Sequence, residues 1–204
     1  MIVRPQKFSC IVYKKTKLTN KVFWLTFKLV NPLEINFQAG QRCLFDVGPK
    51  RNNYSLCSSP SQKTLVETCV DTTPNGPGSR WITLLKEGDN VNFLGPLGNF
   101  VLSDLPIGSK IFIATGTGIS PIRSMILDLL EKKYKDQIYL YFGERFVEDI
   151  FWSREFERLQ KENPNFHYII TLSKPNSSWQ GRSGYVQTAV AEDLLIKSKN
   201  SPLD

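Results

Sequence analysis

The strongest constraint on how this chain folds is a change of hydrophobic period near residue 103. Up to that point apolar residues come in short β-like runs, at 8–15, 22–30, 41–47, 54–59, 65–72 and 91–95. These runs are rich in Val, Ile, Phe, Thr and Tyr, and turn signals such as NPLE, QAGQ, GPKRNN and TTPNGPG separate them. Short strands at this density predict a small, six-stranded antiparallel β-barrel. One helical interruption is expected in GSRWITLLKEGD, where Trp81, Leu84 and Leu85 fall at helical spacing. Beyond residue 103 the strand-like IFIATG (111–116), IYLYFG (138–143) and FHYIITLS (166–173) alternate with helix-like SPIRSMILDLLEKKY, FWSREFERLQKEN and YVQTAVAEDLLIK. That alternation predicts parallel βαβ units with helices on both faces of the sheet. The expected fold is therefore two-domain, a barrel over 1–103 and an α/β parallel-sheet domain over 104–204, with LSDLPIGSK as the linker.

Composition excludes several classes of function. The longest apolar runs are strand-sized, well short of the roughly 20 residues that cross a bilayer. The N-terminus MIVRPQKFSC lacks a signal peptide's apolar stretch, so a cytoplasmic protein without a transmembrane segment is expected. Cys10, Cys43, Cys57 and Cys69 form no CxxC pair and match no zinc or iron–sulfur spacing, so reduced, buried thiols are expected and no metal site. His167 is the only histidine, which argues against a zinc site or a histidine-activated nucleophile. The net charge of +7 comes from scattered residues and not from a dense basic run with interleaved aromatics, so no nucleic-acid partner is expected. It suits a solvated surface, an acidic redox partner or phosphate-bearing ligands.

Two segments carry chemistry. RNNYSLCSSP (51–60) puts a cation, a tyrosine and hydroxyls on one strand, where alternate side chains share a face. A flavin needs a flat, partly aromatic wall and cations or donors for its phosphates. Tyr54 can lie against the ring or ribityl chain with its hydroxyl hydrogen-bonded, Arg51 can pair with the phosphate, and Ser55 adds a hydroxyl beside them. Downstream, Gly76, Gly78 and Ser79 of GPGS form a tight turn into a helix start that favours anions, with Ser79 as cap and phosphate ligand. ATGTGISPIRSM (114–125) is a strand, a glycine-rich turn and a helix. It brings Gly116, Thr117 and Gly118 to the carboxyl edge of a sheet, where a pyrophosphate can approach the backbone, and Pro121 fits the helix's first turn.

The ordered series RNNYSLCSSP, GPGSRW, LGPLGNF, ATGTGISPIRSM and YFGER resembles the ferredoxin–NADP reductase-like family of flavoprotein reductases, over essentially the whole chain. The resemblance implies a flavin-binding barrel followed by a nicotinamide-binding α/β domain, with FAD favoured over FMN and NAD(P)H as hydride source. By position it implies that Tyr54 and Ser55 belong to an Arg-x-Tyr-Ser pair that holds the flavin, with Ser55 hydrogen-bonding near flavin N5 as the one catalytic candidate. Two residues, Asn52 and Asn53, separate Arg51 from Tyr54 where the family has one, so either a bulge lets Arg51 reach the phosphate or its role is weakened. Cys69 and Val70 match a strand lining the flavin, although Asp71 stands where a basic residue is common. Gly116, Thr117, Gly118 and Pro121 match the dinucleotide motif. Arg145 lies near it, and Ser173, Lys174 and Arg182 are expected around the adenosine ribose or its 2′-phosphate, a pattern that suits NADPH without excluding NADH. The family's last strand, with a Cys-Gly-Pro motif beside the nicotinamide, has no counterpart in AEDLLIKSKNSPLD, which implies weakened dinucleotide affinity or slow flavin reduction.

The function this implies is hydride transfer from NAD(P)H to bound FAD, then electron delivery to a separate carrier protein, an oxygenase component or a small molecule. Two alternatives stand beside it: a reductase using free flavin as substrate, and a non-catalytic flavin-binding subunit of a larger complex.

Overall fold

A computed structural model describes residues 4–102 and 108–200. Contacts divide the chain into two units, Met1–Pro106 with Thr117–Tyr134, and Ile107–Gly116 with Lys135–Asp204.

The first unit holds β1 (Gln6–Lys17), β2 (Val22–Asn31), β3 (Arg42–Val47), β4 (Lys50–Ser55), β5 (Leu65–Asp71) and β6 (Asn90–Leu97), with α1 (Pro77–Leu84) between the last two strands. The six strands form one sheet in the order β4-β3-β6-β1-β2-β5, and every pairing in it is antiparallel. The sheet's two ends meet just past β4: Leu56 bridges to Thr68, and the Cys57 amide donates to the Glu67 carbonyl at 2.9 Å. This is the barrel the periodicity predicts. Its core is heavily aromatic: Phe8 stacks on Phe93 at 4.9 Å, while Phe45 contacts Phe27, Phe93 and Tyr54. Alternation puts Phe8, Cys10 and Val12 of β1 inward, each 1% exposed, and such burial contributes about 1.5–3 kcal/mol per large side chain. All four cysteines are buried and none is in a disulfide, and burial pushes the Cys10 thiol up to about 12.

Two expectations about this half are corrected. The fourth strand is Lys50–Ser55, not 54–59, because Gly48 (φ +61°) and Pro49 alone make the hairpin turn and 50–55 pair without a break against β3. Of the three residues at helical spacing, Trp81 packs partly buried against the barrel core and Leu85 is buried. Leu84 is 76% exposed, since the helix ends there and Leu85 turns back onto the barrel; Gly78, Ser79 and Ile82 are the buried residues of α1 itself.

The second unit holds β7 (Lys110–Thr115), β8 (Ile138–Glu144), β9 (Phe166–Leu172) and a two-residue β10 (Arg182–Ser183), in the parallel order β10-β9-β8-β7. Among its helices, α3 (Ser153–Glu162) sets Phe156 against Phe166 and Tyr168 of β9. On the opposite face, Val186, Ala189 and Val190 of α4 (Val186–Asn200) pack with Tyr141, Tyr139 and Ile169. Helices thus cover both faces, as parallel sheets require. His167 is structural, stacked on Tyr139 at 4.7 Å with Nε2 2.6 Å from Gln137 Oε1.

The helix after β7, α2 (Ile119–Glu131), groups with the barrel unit and not with the rest of 104–204. Arg123 explains this. Its Nη1 donates to Glu67 Oε2 at 3.0 Å and to the Cys57 carbonyl at 2.6 Å, and its guanidinium lies 5.0 Å over the Trp24 ring. The side chains of this ion pair are only 7% and 12% exposed. The expected boundary after residue 103 and residues 103–107 of the expected linker LSDLPIGSK lie outside the described residues, and the last linker residue, Lys110, already begins β7. No helix among the described residues is long and apolar enough to cross a membrane.

Candidate functional site

In the barrel unit the site is assembled by β4 and the start of α1. Because β4 pairs with β3 in unbroken register, its side chains alternate strictly. Asn52 and Tyr54 point to the side of Phe45, whose ring is 5.7 Å from that of Tyr54. Arg51 and Asn53 point the other way, where Arg51 Nε donates to Asp46 at 2.8 Å and Asn53 accepts from Arg42 at 3.0 Å. The proposed bulge is absent, and Arg51 does not share a face with Tyr54. Ser55 closes the strand opposite Arg42, also on the Arg51 side by alternation.

Tyr54 stands nearly parallel to Trp81 of α1, at 8° and 6.4 Å between centroids, and accepts a 3.3 Å hydrogen bond from Asn52 Nδ2. Burial raises the Tyr54 phenol's pKa, and the Asn52 bond partly offsets that. Gly78 lets these groups meet the helix start, for a Cβ there would run into Asn52 Nδ2 and the Tyr54 hydroxyl. The N-cap of α1 is Gly76, and no side chain caps the first amides. Ser79 is therefore not the expected cap; it sits inside the first turn, 8% exposed. What remains is a helix start with uncapped N–H groups, open space over Gly76, and an amide and a phenol alongside. Such a donor set fits a phosphate-bearing ligand. On β5, Cys69 and Val70 are buried, Val70 within the barrel core, so they offer backbone rather than side chains. Asp71 accepts from Thr73 at 2.7 Å and 2.6 Å and closes a turn.

After β7 the chain makes a short 3-10 turn, Gly116–Gly118, and enters α2 with Gly118 as N-cap and Pro121 inside the first turn. Gly116 takes φ +50°, a left-handed conformation that costs glycine nothing, and nothing lies within 4 Å of where a Cβ would stand on Gly116 or Gly118. Ser120 Oγ donates to the Thr117 carbonyl at 2.8 Å and fixes the turn.

In the sheet unit a cavity of about 480 Å³ opens at the carboxyl ends of the strands. Arg145, Ser173 and Lys174 line it with Glu144, Tyr185 and Gln187. The backbone zips these loops together: the Ser173 amide donates to the Glu144 carbonyl at 3.0 Å, and the Lys174 amide to that of Arg145 at 2.9 Å. Gly143 forms part of the floor, in close contact with Val186 at the start of α4. Open α/β sheets bind ligands at this edge, and the mixture of cations, hydroxyl and aromatic fits a nucleotide.

Arg182 is not part of that lining. It holds Asp193 through Nη1 at 2.8 Å and 2.9 Å and Glu192 through Nη2 at 2.8 Å, and these carboxylates raise its pKa. Asp193 also accepts from the Tyr141 hydroxyl, whose pKa burial pushes up to about 12. Arg182 thus anchors α4. The sequence reading missed Asn52, Glu144, Tyr185 and Gln187; strand parity would have found the first, and closeness to the strand ends the others.

An oxidoreductase FAD-binding domain model matches residues 9–102, and an oxidoreductase NAD-binding domain model matches 112–203. Ferredoxin–NADP reductase B of Sorangium cellulosum is 31% identical over 195 residues, covering 94% of this chain and 80% of that protein. The chain belongs to the ferredoxin–NADP reductase-like family. Within the family, the phenol hydroxylase P5 protein of Acinetobacter pittii is 34% identical over 192 residues, 92% of this chain but 54% of its own length. The fold also matches the crystal structure of an Amycolatopsis cytochrome P450 reductase at TM-score 0.88 and 24% identity, over 96% of this chain and 60% of that one. The chain thus spans little more than half the length of some members. Its two domains are those of a nicotinamide-dependent flavin oxidoreductase, and FAD and NAD(P)H are the cofactors they serve.

Proposed function

We propose that this chain is an FAD-dependent reductase that draws on NADPH and delivers electrons to a separate carrier protein. The observation that supports it is the pairing, in one chain, of an uncapped helix start beside Asn52 and Tyr54 with a cation-lined cavity at the ends of parallel strands.

When bound, the nicotinamide supplies a hydride and the flavin accepts it and passes electrons on. The chain's residues have positioning work, which supplies much of the rate in such transfers. Tyr54 and Trp81 give a flat aromatic wall, and the α1 amides offer donors to phosphate. Ser55 faces away from Tyr54, unlike the phosphate donors, but it is the last residue of β4, so it is assigned the hydrogen bond near flavin N5 where the ring passes the strand's end. The open glycines of the Gly116–Gly118 turn leave the α2 start accessible to a pyrophosphate. Lys174 and Arg145, with the Ser173 hydroxyl, are assigned the 2′-phosphate, because paired cations reward a dianion. Ferredoxin–NADP reductase B carries a ferredoxin in its name, and a net charge of +7 suits an acidic carrier of that kind.

Glu144 favours a second reading. A carboxylate in the same cavity accepts hydrogen bonds from ribose hydroxyls and repels a 2′-phosphate, which suits NADH. An anaerobic titration of the FAD-loaded protein with each dinucleotide, following the flavin absorbance band, decides. Bleaching at lower NADPH than NADH concentration is expected, and the reverse order selects NADH. If neither bleaches a flavin that dithionite still reduces, the reductase reading fails and a flavin-binding subunit remains. Protein that purifies without flavin yet turns over added flavin points to a free-flavin reductase.

A further inference from the structure

The cation that a phosphate is expected to meet on β4 is turned away from the helix start, and an amide stands in its place. We propose that Asn52, not Arg51, is the β4 residue that binds the flavin's phosphates. The inference rests on the FAD reading above and concerns which side chain of this strand serves it.

Three independent features point to Asn52. First, β3 and β4 pair residue for residue from Arg42 with Ser55 to Val47 with Lys50, with no register shift that would rotate Arg51 toward α1. Second, Arg51 has a partner of its own: Asp46 lies directly across the ladder and takes its Nε at 2.8 Å, with both side chains about half exposed. Third, Asn52 already reaches the place where α1 begins. Its Nδ2 and the Tyr54 hydroxyl crowd the spot a Cβ on Gly78 would occupy, beside the uncapped first turn.

The chemistry is consistent. A carboxamide nitrogen has two N–H donors, and one of them suffices for the Tyr54 bond. The other can add to the α1 amides and to the tyrosine hydroxyl around a phosphate oxygen. A guanidinium in the same place would bring a full charge, whereas Asn52 brings a dipole. The strand therefore contributes direction more than charge, and recognition of the diphosphate leans on the helix start.

Equilibrium dialysis of FAD and of riboflavin, which has no phosphate, against the wild type and three variants tests this. The expected result is that Asn52→Ala weakens FAD about tenfold, in line with a hydrogen bond to a charged group, and leaves riboflavin within about twofold. Asn52→Asp, which sets a carboxylate against the phosphates, is expected to weaken FAD further. Arg51→Ala stays within about twofold of wild type for FAD. Loss of FAD affinity in Arg51→Ala equal to that in Asn52→Ala would overturn the inference while leaving FAD as the cofactor. Equal loss of FAD and riboflavin in Asn52→Ala would also overturn it, since the residue would then act on the ring or the fold. A wild type that binds neither ligand removes the FAD reading, and the inference with it.

Discussion

The two candidate nucleotide sites of this chain offer an anion different kinds of donor. In the barrel unit, the face of β4 toward α1 carries an amide and a phenol, and the helix start adds peptide dipoles. In the sheet unit, Arg145 and Lys174 line the cavity, so full charges are available. The barrel's buried cation, Arg123, is held by Glu67 and the Cys57 carbonyl and serves the packing of α2. The difference teaches that a count of cations near a motif is a poor guide to which anion they meet. Strand parity and prior ion pairs decide that.

The largest expected effect comes from removing the barrel's buried cation. Arg123→Met leaves Glu67 charged in a nearly closed site, and breaking a buried pair this way costs about 3–5 kcal/mol. Urea unfolding followed by tryptophan fluorescence measures it. The double variant Arg123→Met with Glu67→Gln should regain a large share, because no uncompensated charge remains. A loss below about 1 kcal/mol in the single variant would mean that Arg123 is not fixed as described and is free to serve the nucleotides.

Next comes the cation assigned to the dinucleotide. Lys174→Ala is expected to weaken NADPH about tenfold, roughly 1.4 kcal/mol, and NADH by less than about twofold. Dissociation constants from titration of the intact FAD-loaded protein supply the comparison. Equal weakening of both would move Lys174 from the 2′-phosphate to a part the two dinucleotides share. Salt sharpens the contrast at a smaller amplitude. Between about 0.05 and 0.5 M NaCl, NADPH affinity should fall several-fold more than FAD affinity, since screening weakens exposed charges most. An equal fall would show that charge, from Arg80 of α1 or elsewhere, also carries flavin binding.

Much of this fold is legible in the sequence because its elements follow burial patterns that leave little choice. The run Ile111–Thr115 reads as a strand from its short apolar, β-branched composition even though only Phe112 and Ala114 are buried on this edge strand, and the glycines after it mark the turn at its carboxyl end. The β-runs before residue 103 are placed well wherever apolar alternation is clean, as at Cys43, Phe45 and Val47 of β3. The start of β4 is not legible, because Lys50, Arg51, Asn52 and Asn53 have low strand propensity and read as loop. Pairing with β3 overrides that preference, and with it goes the assignment of Arg51, since a residue taken for loop has no fixed face. The place of Ser79 is hard to read for a related reason: whether it caps α1 or sits inside its first turn depends on where the helix begins, and Pro77 sets that. The cavity residues Tyr185 and Gln187 stand at the start of the helix-like run YVQTAVAEDLLIK, and they become neighbours of Lys174 only when α4 starts beside the ends of β8 and β9.

Arg182 gives the smallest expected effect and completes the contrast with Arg123. Both arginines make bonds of 2.6–3.0 Å to oxygen, yet Arg182 is 29% exposed and its partners Asp193 and Glu192 are 27% and 57% exposed. Water and salt compensate for such a pair when it is broken, so Arg182→Met should cost no more than about 1 kcal/mol. Its geometry, with Asp193 held on both oxygens and by Tyr141 as well, puts the value near the top of that range. Because it does not line the cavity, NADPH affinity should change by less than about twofold. The same urea titration and dinucleotide titration measure both quantities. A tenfold loss of NADPH affinity with little loss of stability would mean that Arg182 leaves Asp193 when the dinucleotide binds. The sheet unit would then gather a third cation on its ligand, and the two sites would differ more than the structure alone requires.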